Sequence, residues 1–90
     1  EDEIMTSKTE LMLMLRYDGS PTILLDECLD HLGYSKVEAN RNAGLNRLPI
    51  PTFRLRDSQK SPRMVHLKDL AEHIDSQHAI ALNDWRRMND

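Results

Sequence analysis

The chain has 90 residues, with 12 Lys and Arg against 15 Asp and Glu, a formal charge of -3, 39% apolar residues, and one Trp, two Tyr and one Phe as its aromatic side chains. A chain of this length folds as one domain at most and buries only roughly 60% of its unfolded surface, too little core to wall a large catalytic cleft, so a binding module is expected. No apolar run approaches the ~20 residues of a membrane span, no charged segment leads into an apolar export signal, and the lone Cys28 excludes an intramolecular disulfide framework or a cysteine-based zinc site; a soluble intracellular protein is expected.

Residues 1–7 have no apolar periodicity and no initiator Met, and read as a disordered or vector-derived start before a single domain over residues 8–90. Leu11, Met12, Leu13, Met14 and Leu15 follow one another without β-branching, which predicts a short, largely buried helix over residues 8–17. Asp18-Gly19-Ser20-Pro21 ends it with turn-forming residues. Thr22-Ile23-Leu24-Leu25 is a brief extended segment, and Asp26 is placed as the N-cap of a helix carrying Cys28, Leu29 and Leu32 inward. Gly33 stands where that helix should stop.

Ser35 and Glu38 have capping-box spacing and open a second helix over about residues 35–46. Helix, glycine turn and helix in this order form a helix-turn-helix pattern, although ordinary helical hairpins share it. The second helix has Ala39 and Ala43 on one side, with Lys36, Val37, Asn40 and Arg41 on or near the other. Asn and Arg offer bidentate geometry to adenine and guanine edges in a major groove; a merely solvated helix face has the same look.

Pro49 and Pro51 stop this helix. Thr52 to Arg56 then alternates, predicting a half-buried strand with Phe53 and Leu55 inward and Arg54 and Arg56 outward. A polar loop, residues 57–62, leads to a return strand over residues 63–66. A hairpin with a basic rim directly after a helix-turn-helix is a wing. From Leu67 to Met88 the positions Leu67, Leu70, Ala71, Ile74, His78, Ala81, Leu82 and Trp85 keep 3–4 spacing, predicting a long helix whose first two turns close the core. Its remaining apolar stripe needs cover from the N-terminal helix or a second subunit, and intramolecular packing is expected. The fold class is therefore mostly α with a small β-hairpin, a winged helix-turn-helix.

The small net charge hides a pattern. Residues 1–34 hold two basic against eight acidic side chains, -6; residues 35–68 hold eight against two, +6; residues 69–90 hold two against five, -3. A basic block coinciding with the second helix and the wing is a statement about partners, and it removes the objection that an acidic total raises against nucleic acid.

Other chemistry has less support. His73 and His78 are five apart and do not share a helical face as a zinc pair would, and His31 and His66 stand alone, so no metal and no cofactor are expected. Cys28 reads as a small buried hydrophobe. The three glycines are isolated, which excludes a phosphate loop, and no Ser or Cys has a credible base and orienting acid, so catalysis is not expected. The aromatic residues do not cluster in the basic block, which favours double-stranded over single-stranded nucleic acid.

The string from Leu48 to Pro62, Leu-Pro-Ile-Pro-Thr-Phe-Arg-Leu-Arg-Asp-Ser-Gln-Lys-Ser-Pro, followed by Val65-His66 and Asp69-Leu70-Ala71, resembles the pyocin activator protein (PrtN) family. The resemblance runs from about Leu11 to Trp85, and the Leu-Pro-Ile-Pro and Asp-Ser-Gln-Lys-Ser-Pro strings are its specific part. It implies a small transcriptional activator of bacteriocin and prophage genes, similar in layout to phage excisionases, in the cytoplasm of a bacterium and associated with the nucleoid.

The expected function is sequence-specific binding of double-stranded DNA. Lys36, Asn40 and Arg41 would face the major groove, while Arg54, Arg56, Ser58, Gln59, Lys60, Ser61 and Arg63 line the wing against phosphates or a neighbouring minor groove. A recombination directionality factor is the alternative within DNA binding, and an adaptor that binds protein through the C-terminal helix is the alternative outside it. RNA polymerase, an integrase and a second copy held through the N- and C-terminal helices are the further candidate partners.

Overall fold

The structure, a computed structural model, describes residues 7–89. In chain order its elements are helix α1 (Lys8–Arg16), strand β1 (Thr22–Leu24), a 3-10 turn (Leu25–Cys28), helix α2 (Leu29–Leu32), helix α3 (Lys36–Gly44), strand β2 (Met64–His66) and helix α4 (Leu67–Asn89). They make a mostly helical fold with a small antiparallel sheet, as in a winged helix-turn-helix.

Residues 1–6 of the expected disordered start lie outside the described residues. Ser7, expected to belong to that start, is instead the N-cap of α1, its hydroxyl accepting the Glu10 N–H at 3.0 Å. The expectation that α1 is largely buried is corrected. Leu13 is buried, but Leu11, Met12 and Leu15 face water. Five consecutive apolar residues exceed one 3.6-residue turn, and a helix packed on one side covers only part of such a run.

Asp26 is not the N-cap expected of it. Leu24 holds that position, and the Glu27 carboxylate accepts its N–H at 3.1 Å. The Leu25 N–H still donates to the Arg63 carbonyl at 2.9 Å, so the chain leaves the strand edge directly into a tight turn that buries Leu25 and Cys28. Gly33 ends α2 in the left-handed region at φ 75°, a conformation glycine adopts without a Cβ penalty. The capping box of α3 forms as its spacing predicts: Ser35 Oγ accepts the Glu38 N–H at 3.2 Å, and Glu38 Oε1 accepts the Ser35 N–H at 3.3 Å. The helix ends at Gly44, short of the predicted Asn46, which itself turns left-handed at φ 55°.

Ile23 pairs with Val65 at the centre of the β1–β2 ladder, and both point into a core with Leu13, Leu25, Cys28, Ala39, Ala43, Ile50, Leu67, Leu70 and Ala71. Met64 also pairs with Phe53 on its other side, through N–H···O bonds of 3.0 and 2.7 Å. The base of the wing is therefore a single residue pair rather than the longer hairpin expected. Extending that pairing would set Leu55 opposite Pro62, which has no N–H to give. Beyond Phe53 the segment leaves the body, and Leu55, expected inward, is 71% exposed.

α4 starts without a loop after β2; the Lys68 N–H donates to His66 Nδ1 at 3.1 Å, and the Leu67 N–H donates to the Pro21 carbonyl at 2.9 Å. Its first turns close the core as expected. The Thr9 hydroxyl donates to the Asp75 carboxylate, so α1 runs antiparallel to the first half of α4 only. At 1.5 Å per residue, nine residues of α1 span about 14 Å against about 35 Å for the 23 of α4. Trp85, expected to pack within the chain, is consequently 61% exposed.

Candidate nucleic-acid interface

α3 is laid on the body by two small residues. Ala39 and Ala43 are buried, which brings the helix backbone close and turns Lys36, Val37, Asn40 and Arg41 outward, all of them exposed. Their surroundings differ. Asn40 Nδ2 donates to the Lys36 carbonyl at 2.8 Å and to Asp26 Oδ1 at 3.4 Å. Lys36 Nζ lies 3.6 Å from Asp26 Oδ2. Asn42 donates back to the Glu38 carbonyl at 2.8 Å, and Glu38 is committed to the cap. Among the described residues, the Arg41 side chain makes no hydrogen bond or ion pair.

The wing is held by a side chain. Arg54, expected to point outward to a phosphate, is half-buried, and its Nε donates to the Ser61 carbonyl at 2.9 Å across the loop. The Ser58 N–H donates to the Arg56 carbonyl and the Ser61 N–H to the Ser58 carbonyl, while Ser58 Oγ accepts the Lys60 N–H at 3.2 Å. Ser58 and Ser61 thus serve the loop's own turn. Arg56, Gln59 and Lys60 remain exposed to solvent at its rim.

Arg63 joins the two parts. Its Nη1 donates to Thr52 Oγ1 at 3.4 Å, and its Nη2 lies 3.7 Å from where a Cβ on Gly44 would stand. The guanidinium therefore sits by the C-terminal end of α3, where a cation is favourable to the helix dipole. It lines both the cleft of the wing, with Arg54, Arg56 and Gln59, and a smaller hollow with Asp26 and Asn40. The exposed side of α3 near Asn40 and the wing are in this way joined at Arg63.

Two residues of this surface were not expected from the sequence. Its sequence position suits Asp26 to a cap, and no local pattern ties it to Asn40 fourteen positions on. Leu55 was assigned to the core by alternation, and Pro62 is the signal that overrides it.

The remaining chemistry lies off this surface. Cys28 is fully buried with Sγ donating to the Leu25 carbonyl at 3.3 Å; burial first, and then the carboxylates of Asp26 and Glu27, push its thiol up to about 11 against the lowering effect of a backbone hydrogen bond. Among the described residues no three His, Cys, Asp or Glu side chains form a metal-binding group, and no helix is long and apolar enough to cross a membrane.

Residues 9–81 match the family described as pyocin activator protein PrtN. No curated protein and no solved structure matches the chain.

Proposed function

The chain belongs to the pyocin activator protein PrtN family, and on that premise we propose that it binds double-stranded DNA in a sequence-specific manner and activates transcription of pyocin-like genes. The observation that carries the reading is the continuity of α3 and the wing through Arg63, which lines both the hollow beside Asn40 and the wing cleft with Arg56 and Gln59, while Lys36, Arg41 and Lys60 stand exposed nearby in sequence on the same two segments. In this reading α3 enters the major groove with Asn40 and Arg41 at base edges, and the wing rim meets phosphates or the adjacent minor groove. Arg54, Ser58, Ser61 and Arg63 shape the wing and its joint, so their contribution to DNA is partly through geometry.

If about six cations meet phosphates, affinity falls with salt at a log-log slope near -5. The test is an Arg56→Glu, Lys60→Glu double variant, which leaves the Arg63 joint intact. It should lose affinity for all duplexes and flatten the salt slope by about two; unaltered affinity would sink the reading. Selection of bound fragments from the source genome then gives the target. Promoter-upstream fragments fit an activator with RNA polymerase as the next partner.

A recombination directionality factor is the second reading, and exposed Leu55 favours it, since an apolar side chain on a wing can wedge between base steps and bend a duplex. Tandem sites beside an integrase arm would be its signature in the same selection. The nucleoid is the location that either reading implies.

A further inference from the structure

We propose that the free half of α4 is a two-fold interface in which a second copy of this chain packs antiparallel, crossing near Ala81. The apolar stripe that closes the core at Leu67, Leu70 and Ala71 continues on the same helix face through His78, Ala81, Leu82 and Trp85 after α1 has ended. Trp85 is 61% and Met88 83% exposed on an overhang that raises the radius of gyration to 14.9 Å, against about 12 Å for a compact chain of this size. The stripe is thus long enough for two jobs, and the body of the molecule uses only its first half.

Charge selects the occupant. Asp75 and Arg86 are three helical turns apart to within about 20°, so they stand on the same flank of the stripe at its two ends; one Asp75 oxygen accepts the Thr9 hydroxyl, and among the described residues the carboxylate makes no ion pair. Among the described residues Arg86 makes no ion pair, whereas Arg87 is held by Asp84 at 2.7 Å. A two-fold axis at the middle of the overhang brings Arg86 of each copy within side-chain reach of the partner's Asp75, making both pairs at once. Around this axis position 75 lies opposite position 87 and position 86 opposite position 76, so the acidic Asp75 falls beside the basic end of the partner helix. A parallel copy would set like charges side by side. Ala81 at the crossing leaves room for close approach of the two backbones, and Trp85 of each copy covers the neighbourhood of the partner's His78. Two crossed helices cover less than the roughly 800 Å² per partner of a standard interface, so the dimer is concentration-dependent. It presents two copies of α3 and so suits a two-fold DNA site.

This proposal stands apart from the DNA-binding reading, and its test needs no DNA. Sedimentation equilibrium of the full chain across the micromolar range should show monomer and dimer only. The single Trp should shift its emission to the blue as concentration rises. Trp85→Ala should weaken association about thirtyfold, as expected of a central aromatic anchor. Arg86→Asp and Asp75→Arg should each weaken it severalfold, and the double exchange should restore it; circular dichroism checks that α4 stays helical in each. A wild-type chain that remains monomeric, a double exchange no tighter than the single ones, or growth beyond dimer would overturn the proposal. So would a monomer whose Trp85→Ala variant loses activity in the cell, because that outcome gives the face to a different protein.

Discussion

Asp26 Oδ1 accepts a hydrogen bond from Asn40 Nδ2 at 3.4 Å while its second oxygen lies 3.6 Å from Lys36 Nζ, so one carboxylate engages two exposed side chains of α3. Any ligand that takes Lys36 or Asn40 must first displace it, and a phosphate nearby is repelled by it. The contacts are largely solvent-exposed and worth about 0.2–1 kcal/mol. Asp26→Ala should therefore raise affinity for random duplex roughly two- to fivefold while narrowing the gap to the selected site. Fluorescence anisotropy with both duplexes reads this, and equal or lower affinity for random DNA would assign Asp26 a supporting role instead.

Leu55 makes a separable prediction. As an exposed side chain it contributes little to folding, so Leu55→Ala should leave the thermal midpoint in place. If it meets DNA, it does so as an apolar wedge, and its loss should weaken binding by the same factor at low and high salt. A change in the salt slope would instead mean that the substitution had disturbed the neighbouring arginines.

Gly33 tests the backbone of the helix-turn-helix. No atom lies within 4 Å of a Cβ built there, so Gly33→Ala meets strain only from its φ of 75°. The cost should be about 1 kcal/mol, read as a lower urea midpoint with an unchanged m-value. A loss several times larger would place a steric clash where the structure has open space.

His31 makes stability depend on pH. Its Nε2 lies 3.3 Å from Tyr17 Oη, and burial, followed by the Arg16 cation, lowers its pKa from 6.5 against the opposing pull of Asp30. The unfolded chain therefore takes up this proton first as pH falls. The contribution of His31 is complete above 6.5 and declines as pH drops through that value toward the folded pKa. The ring is only partly buried, so the slope is small. His31→Gln should flatten the pH dependence of the urea midpoint on the acid side of neutrality, and an NMR titration of the ring that moved above 6.5 would contradict the sign.

The parts legible in the sequence are those set by local chemistry. Ser35 with Glu38, Gly33 and the inward Ala39 and Ala43 each state a backbone or packing requirement within a few residues, and the structure places each as its spacing implies. Periodicity identified α4 equally well because 23 residues average out exceptions. What failed depended on what lies opposite in space. Alternation puts Leu55 in the core, but the pairing ends at Phe53 with Met64, and Pro62 denies the strand its next bond. Asp26 looked like a cap because its partners, Lys36 and Asn40, belong to another helix. The run from Leu11 to Leu15 states that the residues are apolar; only the reach of α4 decides which of them are covered.

The pairing of Ile23 with Val65 has one more consequence. Everything proposed to read DNA, residues 25–63, leaves the sheet at Leu24 and returns to it at Met64, while α1 and α4 lie outside that span. The reading head is thus an insertion with both ends fastened side by side. Exchanging it for the corresponding stretch of a relative should graft a new target preference onto the same platform, and altering the helices at the chain ends should leave that preference in place.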